Sequence, residues 1–255
     1  MVRPADQAGS SLRSATVTDP LSRLAGLEGV ASAMAATRDG IDALLRDRGL
    51  RRTSPEQTAE SLLRGAHASA VLEGSEDSLE TAREGAGDEV TQAAVRVSTE
   101  LLSLVPTLKA APLQAFARLH TLAGKGVVDD ADLGRPRDAE AATRLRDLAA
   151  TLSAPTEAPA LVVAAVAHAD IATAAPFLSH NGIVARAVER LLLVARGVDT
   201  TSVTVPEAGH LALRREYESN LRGYASGGQA GVHAWLLYAA EAFAKGAESS
   251  PVVAS

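Results

Sequence analysis

Residues 175–186 read APFLSHNGIVAR, and what flanks them decides the fold. A helically spaced run, 168–174, leads in, and a second, 184–196, leads out. Pro176-Phe177, then Asn181-Gly182, then Arg186 just inside the second run outline a helix–turn–helix. A helix N-terminus gathers unpaired backbone N–H groups and the positive end of the helix dipole, so such a turn can hold an anion. Asn is also a favoured helix cap, so the same residues suffice for a plain capping turn.

Working outward, every other segment also reads as helix or connector. Leu24, Leu27, Val30 and Met34 recur at three or four residues, the pattern resumes through Ile41, Leu44 and Leu45, and Gly49 ends it. Ser54, Pro55 and Gln57 give the next helix an explicit start, a capping box with proline in the first turn, and it runs to about Leu72 before Gly74. Residues 75–87 are Glu- and Gly-rich and read as a loop. A helix is expected over 88–104, with Val90, Ala94, Val97 and Leu101 on one face, broken at Pro106. Further helices are expected over 113–122, 139–152, 159–174, 184–196, 206–224 and 231–245, with a turn-rich connector at 124–138. No strand pattern and no repeat is present. Aromatic residues are only 3% of the chain while hydrophobic residues are 46%, so the core must be built from small and branched side chains, which suits helices. The expected architecture is one all-helical bundle over 20–246, with a polar disordered arm at 1–19 and a tail at 247–255.

Composition excludes several function classes. The net charge of -6 and the lack of a basic stripe argue against nucleic-acid binding. Without cysteine there is no disulfide framework, thiol chemistry or cysteine-based metal site. The N-terminal residues carry no apolar signal-like run, and the longest apolar stretch, 158–167, is too short to span a bilayer, so a cytoplasmic protein is expected. Ser226 lacks the strand–elbow context of a hydrolase nucleophile. The scattered histidines His67, His120, His210 and His233 lack zincin spacing. Asp129, Asp130 and Asp132 lack the Gly and Glu of a calcium loop. His168, on a stripe with Leu161, Ala165 and Ala172, is expected to be a satisfied core histidine.

Taken in order along the chain, the motifs resemble the Fic (Fido) family, whose signature is H-P-F-x-[DE]-G-N-G-R-x-x-R. Pro176, Phe177, Asn181, Gly182 and Arg186 match it; Ala175 stands at the His, Ser179 at the acidic position, His180 at the first Gly and Ile183 at the first Arg. Residues 167–177, AHADIATAAPF, are similar to the helix leading into the signature, and 116–137 to the family's I-H-x-x-L…G-x-x-R segment. Arg215-Glu216-Tyr217 and Trp235-Leu236-Leu237 sit where a Tyr-bearing and a Trp-bearing helix are usual. Residues 69–74, SAVLEG, match the inhibitory motif [ST]-x-x-x-E-[GN]. The resemblance spans about 54–246. Arg137 runs almost directly into a helical pattern, so the family's β-hairpin flap, which pins a target segment by strand addition, is expected to be absent.

The resemblance implies a nucleotide-transfer fold whose reactive groups are missing. In the family the His takes a proton from the attacking hydroxyl, the acidic residue holds Mg²⁺ and the first Arg clamps phosphate. Ala175 has no proton acceptor, Ser179 no charge and Ile183 no donor, so no catalytic residue, metal site or cofactor is expected. Asn181, Gly182 and Arg186 remain as candidate phosphate or anion ligands. Glu73 and Arg186 form the family's inhibitory-type pair, expected here as a structural lock or else as a solvated surface pair. The leading expectation is a degenerate Fic-like binding or regulatory module with an unknown protein partner, no nucleic acid and no membrane; the alanine-rich helix faces permit a homodimer. The alternative is an active nucleotidyl or phosphoryl transferase with an altered site, using ATP and Mg²⁺.

Overall fold

The structure is a computed structural model that describes residues 19–47 and 53–252. The expected arm, apart from Asp19, lies outside the described residues, as do Gly49 and the end of the expected tail. Thirteen α-helices follow one another among the described residues, with one 3-10 turn, and no strand is present there beyond an isolated bridge between Lys125 and Val128. They are α1 (Pro20–Ala25), α2 (Val30–Asp47), α3 (Pro55–Leu72), α4 (Leu79–Arg83), α5 (Glu89–Glu100), α6 (Val105–Ala110) and α7 (Pro112–Gly124). There follow α8 (Ala139–Ser153), α9 (Ala160–Ala174), α10 (Asn181–Ala195), α11 (Pro206–Ala212), α12 (Arg214–Ala225) and α13 (Gln229–Glu248).

Helices α9 and α10, joined by the decisive turn, are the centre. Every residue from Leu161 to Ala169 is buried, because α9 is apolar all round and a helix of that kind is stable only when covered on all sides. On α10 the burial is continuous from Ile183 to Leu193 and includes Arg186, Glu189 and Arg190. Around this pair, α3 and α5 lie against one flank of α10, α6 and α7 against another, and α8, α12 and α13 close over α9. No helix among the described residues is long and apolar enough to cross a membrane.

The helix starts behave as their residues demand. Ser54 and Gln57 exchange the two hydrogen bonds of a capping box at the head of α3. Asp138 caps α8 by accepting from Ala141 N at 2.7 Å, so α8 begins directly after Arg137 with no hairpin between.

Several boundaries differ from expectation. The first helix is two: α1 stops at Gly26, and Gly29, at φ 74°, turns the chain into α2. The expected loop at 75–87 contains α4, capped by Ser78. Pro106 does not end a helix; it sits in the first turn of α6, where its missing N–H has no partner to lose. The run from Pro206 is split at Leu213 (φ -113°, ψ 36°) into α11 and α12. The expected tail belongs partly to the fold: α13 runs to Glu248, and Ser250 and Val252 are each 1% exposed, because Val252 has enough apolar surface to be driven onto the core.

Candidate functional site

The turn between α9 and α10 is held by three side chains. Helix α9 stops where Ala175 enters the left-handed region (φ 43°, ψ 60°), its N–H still bonded to Ile171 O at 3.0 Å. His180 is left-handed as well (φ 54°) and precedes the first residue of α10. Asn181 spans the turn: its Oδ1 accepts from Phe177 N at 2.8 Å and its Nδ2 donates to Phe177 O at 2.9 Å. The Phe177 ring, 2% exposed, stacks on His120 with centroids 4.4 Å apart and planes 10° from parallel. Arg137 takes the outer carbonyls, donating from Nη1 to Ala175 O at 2.6 Å and from its backbone N to Pro176 O at 2.8 Å.

At the positions where the resemblance places reactive groups, the chemistry is muted. Ala175 offers a methyl group. Ser179 Oγ lies 2.9 Å from His180 Nδ1. Burial pulls the His180 imidazole below the ordinary histidine range, against the pull of Glu89 and Glu73. Ile183 is 2% exposed and packs beside Ser69, Val97 and Leu101, so it points into the core. Magnesium is a hard cation that prefers carboxylate oxygens. A hydroxyl and an imidazole are a poor match for it, and the Glu73 carboxylate is already engaged with Arg186. The residues present do not fit a Mg²⁺–nucleotide centre.

Glu73 and Arg186 do meet. Glu73 Oε1 accepts from Arg186 Nη2 at 2.7 Å. Arg186 is 1% exposed and also donates to Ser69 Oγ (2.8 Å), Ser69 O (3.1 Å) and Tyr217 OH (3.0 Å). The alternative of a solvated surface pair therefore fails on the Arg side. A side chain at Gly182 would collide with Glu73 Oε1, so the glycine is what lets this carboxylate rest on the head of α10. Asn181, Gly182 and Arg186 are thus brought together, but by the protein's own groups.

One turn further along α10, Arg190 repeats the device, and the sequence carried no motif for it. It is 2% exposed, pairs with Glu207 at 2.9 Å, and donates to Ser61, Ser202 and Thr204. Gly65 leaves room for it, since a Cβ there would strike Arg190 and Glu207. Ser61, Gly65, Ser69 and Glu73 recur every fourth residue, so α3 lays one ridge of small side chains and one acid along two buried arginines.

Beneath this seam lies a buried polar network. His168 Nδ1 and His210 Nε2 each lie 2.9 Å from one oxygen of Glu189, and the three residues are fully buried. Tyr217 OH lies 2.9 Å from His168 Nε2, and Tyr238 OH 2.8 Å from His210 Nδ1. One proton assignment satisfies every group. Both imidazoles are neutral and donate to the Glu189 carboxylate, each phenol donates to the other ring nitrogen, and Arg186 donates to Tyr217. Burial holds His168 at about 4 despite Glu189. The expected satisfied core histidine is therefore His168; that His210 and Glu189 complete it was not legible.

No protein-family model and no curated protein matches the chain. Solved structures do match. A Fic family protein from Desulfovibrio desulfuricans G20 superposes with a TM-score of 0.71 at 17% identity, covering 86% of this chain and 73% of its own. Fic-1 (residues 134–508) from C. elegans superposes with a TM-score of 0.65 at 15% identity, covering 89% of this chain and 74% of its own. The all-helical fold is that of Fic family proteins.

Proposed function

We propose that this chain keeps the frame of a Fic-type nucleotide cradle without its transfer chemistry and works as a binding or regulatory module. The observation that carries this reading is the occupied head of α10: the Glu73 carboxylate rests on Gly182 and is bonded to Arg186. An anion entering there would have to displace a part-buried charge-assisted hydrogen bond and would meet a like charge. Supporting it are the side chains at the turn. Ala175 cannot accept a proton, Ile183 is packed inward, and Ser179 is bonded to His180. General-base catalysis alone is typically worth roughly 10²–10⁴-fold.

The alternative is a transferase that uses His180 as a relocated base, favoured only by the nearness of His180 to Ser179 and the retained Arg186. Incubation of the full chain and a cell lysate with ATP labelled at the α-phosphate, with Mg²⁺ or Mn²⁺, separates the two. No labelled protein is expected, from the wild type or from Glu73→Gly, which clears the head of α10. Label that appears with Glu73→Gly and disappears when Arg186→Ala is added would establish transfer and overturn the proposal.

A further inference from the structure

Two helices end at one hollow. The C-terminal ends of α9 and α12 converge with the inner face of α8 around a cavity of about 410 Å³, the size of a small-ligand pocket. Thr173 and Ala174 bring the end of α9 to it, Tyr224 and Ala225 the end of α12, and Leu145 and Leu148 give it an apolar wall. The last turn of a helix carries roughly half a negative charge, so two such ends make the hollow electronegative, although on α12 the Arg222, Gly223 and Tyr224 carbonyls already accept from Ser226 and Gly227.

Asp170 adds a formal charge to it. Its Oδ1 accepts the Tyr224 O–H at 2.6 Å, and its Oδ2 receives no hydrogen bond from a described residue. Burial pushes this carboxyl above the ordinary range, with Tyr224 and Arg144 pulling it back, so an arriving cation would relieve a desolvated charge. Asp147 lines the same hollow with no ion-pair partner among the described residues. Two arginines are close, Arg144 in the wall of the hollow itself, and each has an acid: Arg144 lies 3.1 Å from Glu140, and Arg137 lies 3.2 Å from Asp138 and donates to Ala175 O.

We propose that this cavity is a binding site for a small organic cation, an alkylammonium whose N–H groups pair with Asp170 and whose hydrocarbon chain lies against Leu145 and Leu148. The site is distinct from the Glu73–Gly182–Arg186 contact and does not depend on whether the turn transfers nucleotide.

Titration calorimetry of the full chain at neutral pH and low salt tests it, with n-butylammonium as probe and n-butyrate and n-butanol as controls of similar shape. Saturable binding of the amine alone is expected. Asp170→Asn, which keeps an acceptor for Tyr224, is expected to weaken it roughly tenfold or more, the size of one lost charge-assisted hydrogen bond. Ala225→Leu, at an exposed lining position, narrows the hollow without touching the core and is expected to weaken binding as well, so the test survives if Asp170→Asn misfolds. No amine binding, equal binding of butanol, preference for butyrate, or amine binding unchanged in either folded variant would overturn the proposal.

Discussion

Glu73 and Arg186 are 113 residues apart in the chain and 2.7 Å apart in the fold, and they are unequally buried: the Arg186 side chain is 1% exposed, the Glu73 side chain 29%. The pair therefore closes the outer end of a buried seam in which the arginine does most of the joining, to Ser69 on α3 and to Tyr217 on α12.

That asymmetry predicts unequal mutants. Arg186→Ala removes four hydrogen bonds, leaves Glu73 unpaired and empties a buried site, and is expected to cost about 3–5 kcal/mol. Glu73→Ala leaves a buried guanidinium that keeps three hydrogen bonds but loses its carboxylate, and is expected to cost less, about 1–3 kcal/mol. Urea unfolding of both variants measures the difference. Near-wild-type stability in Arg186→Ala would mean that the seam locks nothing.

Gly182 should show a change of sign with its surroundings. In the wild type a methyl group there meets Glu73, and Gly182→Ala is expected to destabilise by about 1–3 kcal/mol, the usual cost of overpacking. With Glu73→Gly in the background the main obstacle is gone, and what remains is Arg186 Nη1 at 3.2 Å, the end of a flexible side chain. Alanine should then stabilise the helix by about 0.5–1 kcal/mol, its ordinary advantage over glycine in a helix. A double-mutant cycle reads the coupling directly; additive effects would mean that Glu73 does not rest on α10 in solution.

The turn was legible because its residues have few other uses: Pro-Phe, Asn-Gly and a following arginine between two apolar helical runs set fold and register together. The expected absence of a hairpin after Arg137 rests on the same kind of local cue, helix formers that begin almost directly after it. What could not be read was polar chemistry inside the core. Arg190, Glu189, Glu207 and His210 look like surface residues in sequence, since charged side chains are rarely buried unless paired, and their partners are distant in the chain. Ser61, Gly65 and Ser69 of α3 stand at four-residue spacing, yet small residues at that spacing do not say whether a helix or an arginine lies against them. Helix breaks differ from expectation where a proline has two meanings, as at Pro106, and where an apolar pattern continues across a glycine, as at Gly26.

Two buried histidines give the fold a pH dependence. His168 and His120 are each held by burial at about 4, with His180 adding to the effect on His120. Their unfolded values are ordinary, so below about pH 6.5 the unfolded chain takes up protons that the native state refuses. Stability should therefore fall as pH drops from about 6.5 to 4, by up to about 1.4 kcal/mol per pH unit for each site. For His120 the cause can be isolated. Gly134 N donates to Nδ1 at 3.0 Å, so the neutral ring carries its proton on Nε2, which is buried with no acceptor among the described residues. His120→Asn keeps an acceptor near the Nδ1 position and removes the titrating ring. Urea unfolding from pH 7 to 4.5 should give a shallower decline for this variant, and an unchanged slope would mean that His120 titrates normally.

Asn181 separates the two roles open to the turn. As a clamp it makes two hydrogen bonds to Phe177 and so holds the ring against His120; as part of an anion cradle its value would appear only with an anion present. Its Oδ1 and one of its two amide N–H groups are already committed to Phe177, which leaves a single N–H on the side chain for a phosphate. Asn181→Ala is therefore expected to lower stability by about 1–3 kcal/mol, two hydrogen bonds' worth, with the same loss in chloride and in sulfate buffers of matched ionic strength. Near-UV circular dichroism should change with it as the Phe177–His120 stack loosens. A variant as stable as the wild type in chloride but weaker in sulfate would make Asn181 an anion ligand and reverse the assignment.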